Sequence, residues 1–231
     1  MKPIKMTLLA GTVILFTACG GGGGDSTTLP NTNQYDLRTF IDTSSYTVTG
    51  EGTANTPSGT YDVSGTYKSS YQGTSVVGSG ETVHHHDVTI MLSVGSVTVS
   101  QNAESSTYMG NIIRTNNITE GVICEATVPL PDLTPIPTNA QVGYVSNEVS
   151  LQCDDGTYIT HVIKLNDAGG GNAEISFVSN IYTSQGGALQ ATETDNVVVT
   201  PSMGMVNAEI SGYIASEDAT FTLYSTSITQ P

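Results

Sequence analysis

From about residue 45 onward, apolar and polar positions alternate every second residue, the period of a β-strand with one buried face. Tyr46, Val48, Gly50 and Gly52 fall between threonines and Glu51. Tyr61, Val63, Gly65 and Tyr67 interleave with Asp62, Ser64, Thr66 and Lys68, and Val88, Ile90 and Leu92 form one face of the next run. The spacing returns in Val122, Cys124, Ala126 and Val128, in Val149, Leu151 and Cys153, in Ala173, Ile175, Phe177 and Ile181, and in Phe221 with Leu223. No comparable stretch carries the 3.6-residue period of an amphipathic helix.

Turn chemistry separates these runs. Asp155-Gly156 fits a tight hairpin. Residues 166–172, Asn-Asp-Ala-Gly-Gly-Gly-Asn, fit a longer hairpin loop. Pro129, Pro131, Pro135 and Pro137 crowd one connection that cannot be a central strand. That crossing predicts a split near 129–139 into two sub-sheets, over 45–128 and 140–228. Short antiparallel strands with one polar face predict an all-β fold. The expected architecture is an antiparallel β-sandwich-like domain over residues 35–231, with a β-barrel as the alternative.

The start of the chain obeys different rules. Lys2 and Lys5 give a basic beginning, and residues 6–18 follow without a charge. A basic stretch, a short apolar run and small residues before a cut site make a secretory signal, here residues 1–18. The run is shorter than the ~20 residues a membrane-spanning helix needs. Phe16-Thr17-Ala18-Cys19 resembles the lipobox of bacterial lipoproteins. The resemblance covers the leader alone, and no family is recognised for the β domain. It implies cleavage before Cys19 and lipidation of Cys19 with several acyl chains, palmitate among them. One chain holds only marginally and several hold firmly. In that family an aspartate after the cysteine retains the protein at the inner membrane; Gly20 implies the outer membrane of a Gram-negative cell. Residues 19–34 then form a tether, since Gly20 to Gly24 and the Ser, Thr and Asn that follow bury nothing. As a flexible coil it reaches about 20 Å.

Charge narrows the partners. Loss of residues 1–18 removes Lys2 and Lys5 and leaves 21 acidic residues against Arg38, Lys68, Arg114 and Lys164, a formal charge of −17. Four scattered cations make no basic patch for counterion release, so nucleic acid is excluded as a partner. Membrane contact runs through the lipid on Cys19, and the sequence names no protein or small-molecule partner. Cys124 and Cys153 remain, and in an oxidising exported compartment such a pair reads as a disulfide.

Candidate chemistry is sparse. Three of the four histidines stand in Glu81-Thr82-Val83-His84-His85-His86-Asp87. On a strand His84 and His86 share one face, and His-x-His suits a divalent metal if a third ligand such as His161 or Glu81 joins it. The competing reading is an exposed, solvated strand start. His161 lies between Ile159 and Ile163 on one face, the setting of a hydrogen-bonded sheet residue more than of a general base. Asp154, Asp155 and Asp167 read as turn formers, since no spaced acidic calcium loop is present. Tyr61, Tyr67 and Tyr71 read as half-buried sheet packing before an interface stripe. No Gly-x-Ser-x-Gly is present. The resulting expectation is a non-enzymatic, lipid-anchored envelope protein with a structural or recognition domain and no cofactor beyond its lipid. A small-ligand or divalent-metal carrier is the alternative, and a metal-assisted hydrolase ranks third.

Overall fold

A computed structural model describes residues 31–231 apart from Ser79. Signal, lipidation site and most of the tether therefore lie outside the described residues. The described residues fold as one short α-helix, α1 (Leu37–Thr43), two single-turn 3-10 helices (Leu130–Asp132 and Ala215–Glu217) and twelve strands. The strands are β1 (Tyr46–Thr56), β2 (Gly59–Val76), β3 (Thr82–Val94), β4 (Val97–Tyr108), β5 (Asn111–Asn117) and β6 (Val122–Ala126). They continue with β7 (Val149–Cys153), β8 (Tyr158–Gly169), β9 (Asn172–Tyr182), β10 (Leu189–Val199), β11 (Met205–Ile214) and β12 (Ala219–Thr229). Each pairs antiparallel with its sequence neighbours, and β1 pairs with β12, so the sheet closes on itself. The all-β class holds, and of the two architectures open to the sequence the barrel is the one adopted.

Closure explains why the proline-rich crossing does not divide the sheet. β6 and β7 flank it and pair directly, Cys124 opposite Cys153, so residues 127–148 leave the sheet and return to it. The Cys124–Cys153 disulfide joins those opposed positions. The hairpin expected over 166–172 is also tighter than its glycines imply. β8 runs to Gly169 and β9 starts at Asn172, leaving Gly170 and Gly171 as the turn, both at positive φ.

Side-chain alternation sorts the two faces. Outward positions on β1 are Thr47, Thr49, Glu51, Thr53 and Asn55, while Tyr46, Val48 and Ala54 are buried. A strand facing lipid needs an apolar outward band; these strands carry a polar one, the pattern of a wall facing water. The inside is filled. Tyr35, Tyr67, Leu151, Ile159, Leu165, Ile175 and Ile181 are almost wholly enclosed. At roughly 1.5–3 kcal/mol for each large apolar side chain, this packing is what holds the wall closed. The voids between Val48 and Leu223 and beside His161 are only about 10 Å³ each.

The strand order gives the barrel two unlike ends. At one, six short turns join β1 to β2, β3 to β4, β5 to β6, β7 to β8, β9 to β10 and β11 to β12. The other end carries α1, the long 127–148 segment and both ends of the barrel chain, before β1 and after β12. Helix α1 covers this end because Leu37, Phe40 and Ile41 share one face and are buried. Asp36 caps it, accepting from the Thr39 N–H at 3.0 Å. The segment before α1 is docked as well. Asn31 and Asn33, which the sequence assigns to the tether, donate to the carbonyls of Asn172 and Gly171 on the β8–β9 hairpin, each at 2.8 Å.

Candidate functional site

The chemistry-bearing side chains gather under α1. Asp42, in its last turn, is 4% exposed and meets the β4–β5 turn. Its carboxylate accepts from the Thr107 hydroxyl and from the Gly110 N–H, the latter at 3.1 Å to each oxygen. The turn is Met109-Gly110, with φ of 50° and 81°, the pair of positive values that a two-residue type I′ hairpin requires. Glycine suits its position twice over: a Cβ there would stand 2.6 Å from the Cβ of Ile136. Ile136 belongs to the 127–148 segment and donates its N–H to the Met109 carbonyl at 2.9 Å. Helix, turn and segment thus lock one another.

As the alternation predicts, His84 and His86 share a face, both packed on the Tyr71 ring, while His85 bonds Ser75 and Ser106 on the other side. His86 is 2% exposed, with Nε2 at 3.1 Å from the Asp42 carbonyl. A carbonyl only accepts, so Nε2 carries the proton and Nδ1, 3.5 Å from Ser69 Oγ, is the acceptor. Burial lowers the His86 pKa, against the opposing pull of the Asp42 carbonyl and carboxylate. The neutral ring satisfies a helix C-terminal carbonyl that would otherwise be orphaned, and both its nitrogens are engaged.

His84 is the more available of the two. Its Nδ1 lies 3.3 Å from the Tyr71 hydroxyl. Its Nε2 is 4.0 Å from Asp42 Oδ2, beyond hydrogen-bond range. It opens on a cleft of about 420 Å³ whose walls include Arg38, Asp42, Glu81, Thr82, Tyr108 and Met109. Arg38 donates Nε–H to the Ile136 carbonyl at 2.7 Å and forms no ion pair among the described residues. Glu81 contributes a carboxylate whose Oε2 is enclosed without a hydrogen-bond partner.

His161 does not join this group. It stands on β8, five strands round the wall from β3, with Nδ1 2.7 Å from Ser179 Oγ on β9. Among the described residues no three His, Cys, Asp or Glu side chains are set to hold a metal. Burial without a charged partner lowers the His161 pKa to about 4. Across the next strand pair Glu193 sits opposite Ser179, so Glu193, Ser179 and His161 form one inward row. Ser179 is wholly enclosed, and the 10 Å³ void beside His161 has room for one water at most and for no substrate. Asp195, two residues along β10, is equally enclosed; burial, then the charge of Glu193, holds its carboxyl well above the usual range. Burial raises Glu193 too.

Of the acidic residues read as turn formers, Asp155 and Asp167 do that work, while Asp154 reaches across to β6. Asp155 accepts from the N–H and hydroxyl of Thr157, Asp154 from the Ile123 N–H, and Asp167 from the Gly169 N–H. Of the three tyrosines, Tyr67 is fully buried, stacked on Tyr46, and Tyr71 backs the histidines. The residues the sequence left unmarked are Asp42, Arg38 and Met109. Asp36 followed by Leu37, Phe40 and Ile41 was the available signal for the helix that carries the first two. No protein-family model, curated protein or solved structure matches this chain.

Proposed function

We propose that the mature protein is a lipid-anchored envelope protein, cut before Cys19 and tethered to the outer membrane, whose barrel is a non-enzymatic recognition domain. One observation carries the recognition part. Among the described residues the barrel wall is polar outside and the voids inside it are small, so the described ligand space lies at the α1 end, where a cleft lined by charged and aromatic side chains opens. A lumenal carrier would need an internal cavity of several hundred Å³, and the internal voids described are about 10 Å³. A hydrolase acting through Ser179 and His161 would need access that the packed wall denies.

The anchor rests on the leader and Cys19. Expressed with its own leader in a Gram-negative host, the wild-type chain should incorporate labelled palmitate and fractionate with membranes. Cys19→Ala should lose the label and appear in the soluble fraction. A Cys19→Ala chain that stays labelled and membrane-bound overturns the anchor.

A further inference from the structure

We infer that the α1-end cleft binds a small zwitterion, a free amino acid whose carboxylate pairs with Arg38 and whose ammonium faces Glu81 and Asp42. The inference rests on the cleft being the recognition surface and is independent of the lipid on Cys19. Four arguments converge on it.

The first concerns charge. After the leader is removed the chain has four cations among 21 acidic residues. One of the four, Arg38, lines the cleft and makes no ion pair among the described residues. Its Nε is fixed by the Ile136 carbonyl. That bond orients the guanidinium fork and leaves its terminal nitrogens for a planar anion such as a carboxylate.

The second is the opposite sign in the same cleft. Glu81 and Asp42 line it too, and a simple anion would be repelled by them. A ligand carrying both charges satisfies both sets of groups.

The third is spare hydrogen-bonding capacity. Glu81 Oε2 lacks a donor. His84 Nε2, at 4.0 Å from Asp42 Oδ2, has no bond on that side, although Nδ1 is held by Tyr71. The enclosed Glu81 oxygen left unpaired is costly and calls for a partner, while the partly exposed His84 nitrogen is open to one.

The fourth is Met109. A non-glycine residue in the left-handed region is strained. Asn, Asp or Gly is usual at this turn position. Methionine there, with φ of 50°, places a thioether on the cleft wall beside Tyr108. Together they make an apolar surface next to the charged groups, which fits an amino acid with an apolar side chain. The volume of about 420 Å³ accommodates a molecule of that size.

The test is equilibrium dialysis of the full tag-free mature chain, with three sets of probes. Leucine, methionine and phenylalanine carry both charges; isocaproate and hydrocinnamate carry the carboxylate alone; isoamylamine and phenethylamine carry the amine alone. The amino acids should bind at least tenfold more tightly than either half-ligand set. Arg38→Gln and Glu81→Gln should each weaken amino-acid binding tenfold or more, with circular dichroism and thermal midpoint establishing that both variants fold. Ser96→Ala, in the β3–β4 turn at the opposite end of the barrel, should bind as wild type. Carboxylates binding as well as amino acids would replace the zwitterion site by an anion site, and amines binding as well would replace it by a cation site. Either result overturns the inference, as does absence of binding by every probe or wild-type affinity in both folded variants. None of these outcomes bears on palmitate labelling at Cys19, so failure here and failure of the anchor are read separately.

Discussion

His161 should make the barrel acid-labile by a calculable amount. The side chain is 8% exposed, its Nδ1 bonds Ser179, and burial lowers its pKa to about 4. In the unfolded chain the value returns to about 6.5. A folded-state pKa below the unfolded one means that the unfolded state takes up the proton first. The associated stability is therefore complete above pH 6.5, drains away as pH falls from 6.5 to 4, and levels off below that. For these two values the loss between pH 7.5 and pH 4.5 is about 2–3 kcal/mol, most of the full effect reached at still lower pH. With a urea m-value of ~2–3 kcal/mol/M for a domain of this size, the midpoint falls by about 1 M. The buried carboxyls Glu193 and Asp195 act in the opposite sense, since a raised carboxyl favours the fold at acid pH and withdraws that support as pH rises. They are present in both wild type and His161→Gln, so the clean quantity is the difference between the two proteins. The measurement is urea unfolding at pH 7.5 and 4.5. His161→Gln should lose less stability on acidification than wild type by about 2–3 kcal/mol. Equal losses in the two proteins, or an imidazole NMR titration of His161 near 6.5, would refute the reasoning.

Two further perturbations test how the α1 end is assembled. Reducing the Cys124–Cys153 bridge, which spans 29 residues, should cost about 3.6 kcal/mol by loop entropy, read as a lower urea midpoint in dithiothreitol. An unchanged midpoint would show that the bridge does not restrict the unfolded chain. Gly110→Ala should destabilise by about 2–4 kcal/mol, combining left-handed backbone with the clash against Ile136. Gly156→Ala, at φ of 94° with open space around its Cβ position, should cost only about 1 kcal/mol. Equal costs in thermal or urea unfolding would remove the steric argument.

Period-2 patterning made the strands legible because each has one buried and one solvated face. Val149, Leu151 and Cys153 read correctly from five residues alone. Closure was not legible, because β1 meets β12 through register contacts such as Thr53 with Thr222, and alternation records which face is buried without recording which strand lies alongside. A sandwich and a closed barrel therefore look alike from Tyr46 to Thr229. The proline crossing misled for a related reason: its effect is local, and the disulfide carries the sheet past it. Asp42 escaped notice because its neighbours Thr107 and Gly110 are more than sixty residues away. In the sequence it is one carboxylate among many, and burial alone sets it apart.

The arrangement of the two barrel ends has a practical bearing on how this molecule can be handled. The chain enters β1 and leaves β12 beside the cleft, and Gln230 is pinned there by accepting from the Met205 N–H. An affinity tag or dye placed after Gln230 would sit at the same end of the barrel as the opening. The six tight turns at the far end, among them Pro57-Ser58 and Gly95-Ser96, are the sites where a label, an epitope or an inserted domain leaves that mouth unobstructed.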